Sequence, residues 1–175
     1  MVARLSEGRP RYGSYAATCV RAGAVGDGAR TRFLELAEAD AAAYGSFAAA
    51  LKLPRDTEEA AAARQHALRS AAREATEIPL EILRACRPVA AELEALAGRS
   101  NTNASSDLIV GSLLVDAAAR GAAANVMINL PSVGDGDFEG RALNEVTEAL
   151  ALIEDLAAQV REVVGRGKLR EPEEA

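Results

Sequence analysis

Asp40 lies seven residues after Phe33 and seven before Phe47. Seven residues miss two whole helical turns by only about 20°, so on a helix the three side chains share one line. Glu35 and Glu38 fall off that line. A carboxylate on a face that buries phenylalanines loses hydration, which disfavours its charged form and raises its pKa. Such a group can accept and return a proton near neutral pH. The pattern equally suits a buried aspartate neutralised by an arginine from a neighbouring helix, and periodicity does not separate the two.

Three further polar positions stand on the stretch SSDLIVGSLLVDAAARGAAANVMINLPS, residues 105–132. Asp107 follows Ser105 and Ser106 at its start, where an acid complements the helix dipole or contacts a ligand. Asn125 and Asn129, four apart near its end, share one helix face. Buried amides of this kind need hydrogen-bond partners, from a neighbouring helix, a second subunit or a ligand. Asp116 and Arg120 are spaced for an i,i+4 ion pair. His66 sits among Arg64, Gln65 and Arg69 and reads as solvated, so no serine has a triad-type base. The GDGD run at 134–137 lacks the strand that a phosphate loop requires. Arg11, Tyr12 and Tyr15 are candidates to line a cleft, with nothing in the sequence to hold them there.

One histidine and two cysteines do not make a zinc site, and Cys19 with Cys86 suggests no disulfide framework. No metal and no cofactor are expected. The net charge of −6 argues against nucleic acid, whose phosphates need a basic surface. Met1–Arg11 carries no apolar run of a secretory signal, which points to the cytoplasm. The apolar stretch is not expected to span a membrane, because Asp116 and Arg120 would sit near the bilayer midplane.

The elements that must position these residues are helical. Alanine, the best helix former, dominates the 49% hydrophobic content, and only six residues are Phe or Tyr. No β-alternation or internal repeat is present. The expected fold is all-α: an antiparallel bundle around one central, largely apolar helix, forming a single domain over 1–165. Met1–Ser6 reads as a helix tail, 11–23 as a short helix or irregular link, and Gly26-Asp27-Gly28 as a break capped by Asp27. A helix follows over Ala29–Leu51, its apolar stripe built from Phe33, Leu36, Tyr44, Phe47 and Leu51. Asp56 should cap the next, which runs from Thr57 to about Thr76. Pro79 marks a kink or new start, Pro88 bends the segment reaching Leu96, and Gly98 stops it. Residues 98–106 form a polar loop, 131–137 a turn-rich connection. The last helix spans about Phe138–Val164 with Leu143, Val146, Leu150, Ile153, Ala157, Val160 and Val164 on its apolar line. The remainder, 166–175, is expected to be a flexible charged tail.

Two blocks carry a resemblance to a known family. EADAAAYGSFAAALKLPRDTEEAAAARQ (38–65) resembles a pattern of Asp-Ala-x-Ala-Tyr/Phe, a basic residue, Leu-Pro and an acidic helix start. SDLIVGSLLVDAAARGAAANVMINLPS (106–132) is similar to a Ser-Asp start with an Asn-Val-x-Ile-Asn-Leu ending, and TEIPLEIL (76–83) fits a Pro-Leu segment. The chain resembles, over nearly its whole length, the cyclodeaminase/cyclohydrolase family of folate one-carbon enzymes. The resemblance implies that Asp40 stands where the family has its active-site acid, and that Asp107, Asn125 and Asn129 occupy recurrent polar positions that bind substrate in the pocket or scaffold it. It implies a tetrahydrofolate derivative as substrate: 5-formiminotetrahydrofolate, closed to 5,10-methenyltetrahydrofolate with loss of ammonia, or alternatively methenyltetrahydrofolate, hydrolysed to 10-formyltetrahydrofolate. A homodimer is expected, since family members associate and the small-residue helix offers a close-packing face. Family members usually carry a helix and a Pro-Gly-Gly-Gly type loop ahead of the segment that is Met1-Val2-Ala3-Arg4-Leu5 here, a region this sequence is expected to lack. The reading from another class is a non-catalytic helical dimer.

Overall fold

Alanine lets the two longest helices lie close together. The structure, a computed structural model, describes residues 1–173. Helix α1 (Val2–Ser6) and a 3₁₀ turn (Pro10–Tyr15) lead into α2 (Ala16–Leu51), which is antiparallel to α3 (Glu58–Leu96). A second 3₁₀ turn (Thr102–Ala104) opens α4 (Ser105–Asn129), a third (Leu130–Ser132) closes it, and α5 (Gly136–Arg166) completes the bundle. No strand occurs among the described residues, and α3 packs against α2, α4 and α5. The all-α expectation holds.

Several expected boundaries do not. Gly26-Asp27-Gly28 is no break: α2 runs through it for 36 residues. Ion pairs to α3 clamp the helix on both sides of the glycines, Arg21 to Glu92 at 2.7 Å and Arg32 to Glu81 at 3.3 Å. Tertiary contact thus outweighs the roughly 1 kcal/mol that each glycine costs in a helix. Asp27 does not cap; it pairs with Arg4 of α1. Thr57, not Asp56, caps α3, its hydroxyl accepting the Ala60 N–H at 3.1 Å. Tyr44 is 74% exposed and Leu51 49%. The buried line of α2 is instead Leu36, Ala43 and Ala50, flanked by half-buried Phe33 and Phe47. In α5 Leu143 is 40% exposed, and Phe138, Ala142, Val146, Ala149, Ile153, Ala157 and Val160 form the buried line.

The prolines are absorbed differently. Helix α3 is continuous through Pro79 and Pro88, so neither starts a new element. A proline has no N–H for the carbonyl four residues earlier. For Pro79 that carbonyl belongs to Ala75, and the Asn129 side chain donates to it at 2.7 Å. The amide of α4 replaces the bond that the proline removes. Asn129→Ala should therefore cost about 1–3 kcal/mol, as for a buried carbonyl left unpaired. Pro79→Ala in the same chain restores an N–H, so the cost of Asn129→Ala should shrink in a double-mutant cycle measured by urea unfolding. Additive effects would show that the two residues are not coupled.

The core divides into two clusters. One joins the middles of α3, α4 and α5 around Leu83, Val126 and Ile153; the other joins α1, the first 3₁₀ turn and the ends of α2–α5 around Cys19, Leu108 and Val160. At Gly111, where α4 meets α3, an added Cβ would lie 2.9 Å from the tip of Leu93, so that side chain would have to shift. Cys86 is fully buried, and burial pushes its thiol from 9.0 up to about 11. The unfolded chain ionises this thiol first, so stability is lost as pH rises from about 9 through 11. The loss should reach at most roughly 3 kcal/mol and be absent from Cys86→Ala, measured by urea unfolding at both pH values.

Residues 167–173 do not project as the expected free tail. Arg166 belongs to α5, and residues 167–173 pack back on the bundle. The Arg170 amide donates to Gly98 O at 2.8 Å, its guanidinium pairs with Glu94, and its own carbonyl accepts the Tyr15 hydroxyl at 2.8 Å. Glu173 accepts from Thr18 and Arg21. These charge-assisted bonds give a polar segment enough partners to offset its ordering entropy. Residues 174 and 175 lie outside the described range.

Candidate active site

Asp40 sits on the line Phe33–Asp40–Phe47, on the shoulder of α2's buried face, and is half-buried. The expected alignment with two phenylalanines is present, while full burial is not. Arg32 is engaged by Glu35 and Glu81, and Arg73 by Glu77 and Asp135. Neither neutralises Asp40, and no ion pair to it occurs among the described residues. The helix register fixes its height. Arg32 meets Glu81, and Arg64 donates to the Leu51 carbonyl at 3.2 Å. Between these anchors Asp40 stands level with the α3 turn near Glu74 and Ala75. Asn129 donates into that turn from α4. Asp40 and Asn129 thus reach the same height on α3 from the two helices flanking it.

Asn125 does not join them. It is exposed on α4, and only Asn129 of the expected amide pair is turned to the bundle. Asp107 is elsewhere again. It is exposed in the first turn of α4, where a carboxylate complements the helix N-terminus. It borders a cavity of about 390 Å³ between α1, α2, α3 and α4. Val89, Leu93 and Leu108 supply apolar wall, and Arg4, Asp27, Arg30 and Glu92 stand with Asp107 around it. Asp107 and Asn129 are 22 positions apart on one helix, about 33 Å at 1.5 Å per residue. One ligand does not span that distance within a single chain. The four expected site residues therefore fall into an Asp40–Asn129 group and an Asp107 group, with Asn125 on the outer face.

Sequence reading missed the charged lining of this cavity. Glu92, Arg4 and Arg30 gave no local signal, because helix pairing rather than spacing assembles them. Tyr12, left unplaced by the sequence, is fixed by the loop before α4. Its hydroxyl lies 3.3 Å from Thr102 Oγ1 and accepts the Thr102 N–H at 3.2 Å, contacts that hold its pKa below the ordinary value. Asp116 and Arg120 form the expected pair at 3.1 Å, extended to Glu154 of α5 at 3.2 Å.

A family model described as formiminotransferase-cyclodeaminase matches residues 1–148, a span that includes Asp40, Asp107, Asn125 and Asn129. A methenyltetrahydrofolate cyclohydrolase from Methylorubrum extorquens is 31% identical over 94% of this chain and 79% of its own. The formimidoyltransferase-cyclodeaminase of Sus scrofa is 31% identical over 91% of this chain but 30% of its own length. The chain therefore corresponds to less than a third of that larger protein. The crystal structure of formiminotetrahydrofolate cyclodeaminase from Thermotoga maritima superposes with a TM-score of 0.84 at 28% identity, covering 95% of this chain and 79% of that one. With the sequence match running through both blocks and the helical bundle retained, the chain belongs to the formiminotransferase-cyclodeaminase family.

Proposed function

We propose that this protein is a folate one-carbon enzyme that converts 5-formiminotetrahydrofolate to 5,10-methenyltetrahydrofolate and ammonia. The observation that supports it most is the retention of the bundle of a formiminotetrahydrofolate cyclodeaminase over nearly the whole chain. N10 attacks the protonated formimino carbon and a five-membered ring closes. The N10 proton moves to the amino group, the carbon–nitrogen bond to that group breaks, and ammonia leaves the amidinium product. Holding N5 and N10 in ring-closing geometry supplies much of the acceleration. One carboxylate can take the proton from N10 and return it to the departing nitrogen, and Asp40 is our assignment for it. Asn129, at the same height on α3, is the nearer of the two amides to this position; Asp107 and Asn125 bind substrate only if a second chain completes the site.

A second chain is part of the proposal. The outer face of α4 is a stripe of Val110, Leu114, Ala117, Gly121, Ala124 and Ile128, with Leu114 65% and Ile128 74% exposed. An apolar stripe with small residues at its centre suits close helix pairing between copies. An antiparallel twofold pairing sets residue 110 opposite residue 128. It returns the Asp107 end of one α4 toward the Asn125 end of the other. The helix is also long and apolar enough to cross a membrane by composition. The Asp116–Arg120–Glu154 pairing beside the stripe favours the homodimer, because charges are costly in hydrocarbon.

Hydrolysis of methenyltetrahydrofolate is the second reading, favoured by the cyclohydrolase relative of similar length. Water then attacks the same amidinium carbon and the same carboxylate serves. Assay of the purified chain on both substrates tests the proposal: ammonia-releasing ring closure supports it, hydrolysis alone moves the assignment to the second reading, and no turnover of either leaves the non-catalytic reading.

A further inference from the structure

We propose that the cavity beside Arg69 is the subsite for the glutamate carboxylates of the folate, a reading that rests on the function proposed above. The cavity, about 260 Å³, lies where the ends of α2 and α4 meet α3. Phe47, Leu68 and Pro131 form its apolar wall, and Gln65, Arg69 and Ser132 supply donors. No carboxylate borders it, although the chain carries 26 acidic residues against 20 basic ones. Four other cavities each include an acid: Glu92 and Asp107, Glu7, Glu94, or Glu74.

Arg69 is exposed, lies against the Gly134 turn and is not neutralised. The guanidinium lies over Gly134, where an added Cβ would come 3.2 Å from Nε. Gly134 has φ +67, a conformation that side chains resist, so the backbone there makes room for the arginine. Its neighbour Arg73, one turn on, is paired with Glu77 and Asp135. Arg69 has no salt bridge among the described residues, leaving its fork of donors free for a carboxylate.

Position matches substrate length. Asp40 stands level with Glu74–Ala75, and Arg69 lies five to six residues back along α3, about 8 Å at 1.5 Å per residue. Phe47, seven residues on from Asp40, stands about 10 Å along α2, and it lines the same cavity as Leu68 and Arg69. One benzene ring and an amide, the link between N10 and the glutamate, covers such a gap. With N10 at Asp40, the ring runs toward Phe47 and the carboxylates arrive in the cavity that Phe47 and Arg69 share.

The test compares binding of 5-formyltetrahydrofolate and 5-formyltetrahydropteroate, which lacks the glutamate, to the full chain and to Arg69→Gln by calorimetric titration. The wild type should prefer the folate by roughly tenfold or more, as expected for a charge-assisted contact. Arg69→Gln should bind the two alike, and Arg69→Lys, which keeps charge without the fork, should fall between. Added salt should erode the wild-type preference. A preference retained in Arg69→Gln, or none in the wild type, overturns the subsite while leaving the folate reading intact. A wild type that binds neither compound overturns both.

Discussion

Replacing Asp40 by Asn lowers kcat by about 10²- to 10⁴-fold, the range for loss of a positioned acid–base group, while KM changes by only a few-fold. The substitution keeps shape and hydrogen-bonding volume, so the helical content and melting temperature stay near wild type. Asp40 is half-buried at the shoulder of α2 and takes part in no ion pair among the described residues, so its charge holds no packing contact in place. A purely structural Asp40 would give the opposite result: altered stability and unaltered kcat. The matching substitution at Asp107 separates the two groups of site residues. In the proposed dimer Asp107→Asn raises KM and leaves kcat nearly intact, because it meets substrate from the second chain. If Asp40→Asn turned over within threefold of wild type, the proton-shuttle assignment would be wrong.

The second large effect is on assembly. Leu114→Glu places a charge in the middle of the α4 stripe, where Leu114 is 65% exposed in the single chain. Burying an unpaired carboxylate at an interface costs several kcal/mol, and a twofold axis doubles the insult. The variant should run as a monomer by light scattering at concentrations where the wild type is a dimer. Its helical content should not change, because the residue is mostly exposed in its own chain. Activity falls with dimerisation if Asp107 and Asn125 complete the site from the partner copy. A wild type that is monomeric at tens of micromolar would remove the dimer, and a Leu114→Glu dimer would move the interface to another face.

What local sequence determines here is helix content, because propensity and capping act over a few residues. Alanine density specifies helix, and side-chain caps, Thr57 rather than the expected Asp56 on α3 and Asp135 on α5, set where those helices begin. The seven-residue spacing of Phe33, Asp40 and Phe47 likewise specifies that they share a line. Such signals fail where a distant contact outweighs them. Gly26 and Gly28 would end an isolated helix, yet the packing of α2 on α3, with Cys19, Ala22 and Leu36 buried on either side, carries it through them. Pro79 would end another, yet Asn129, fifty positions away in sequence, takes over its orphaned carbonyl. The segment 167–173 has the composition of a tail and is ordered by Tyr15, Glu94 and Arg21.

The site divides the same way. Residue type and spacing single out Asp40, Asp107, Asn125 and Asn129, because carboxylates and amides amid apolar runs are visible in one dimension. Which of them meet depends on helix register, and register is set by side chains on other helices. Only the packed bundle puts Asn129 at the height of Asp40, sends Asp107 some 33 Å down α4 and turns Asn125 outward. It alone also frees Arg69 while pairing Arg73 one turn away, since which arginine finds an acid depends on the helix beside it.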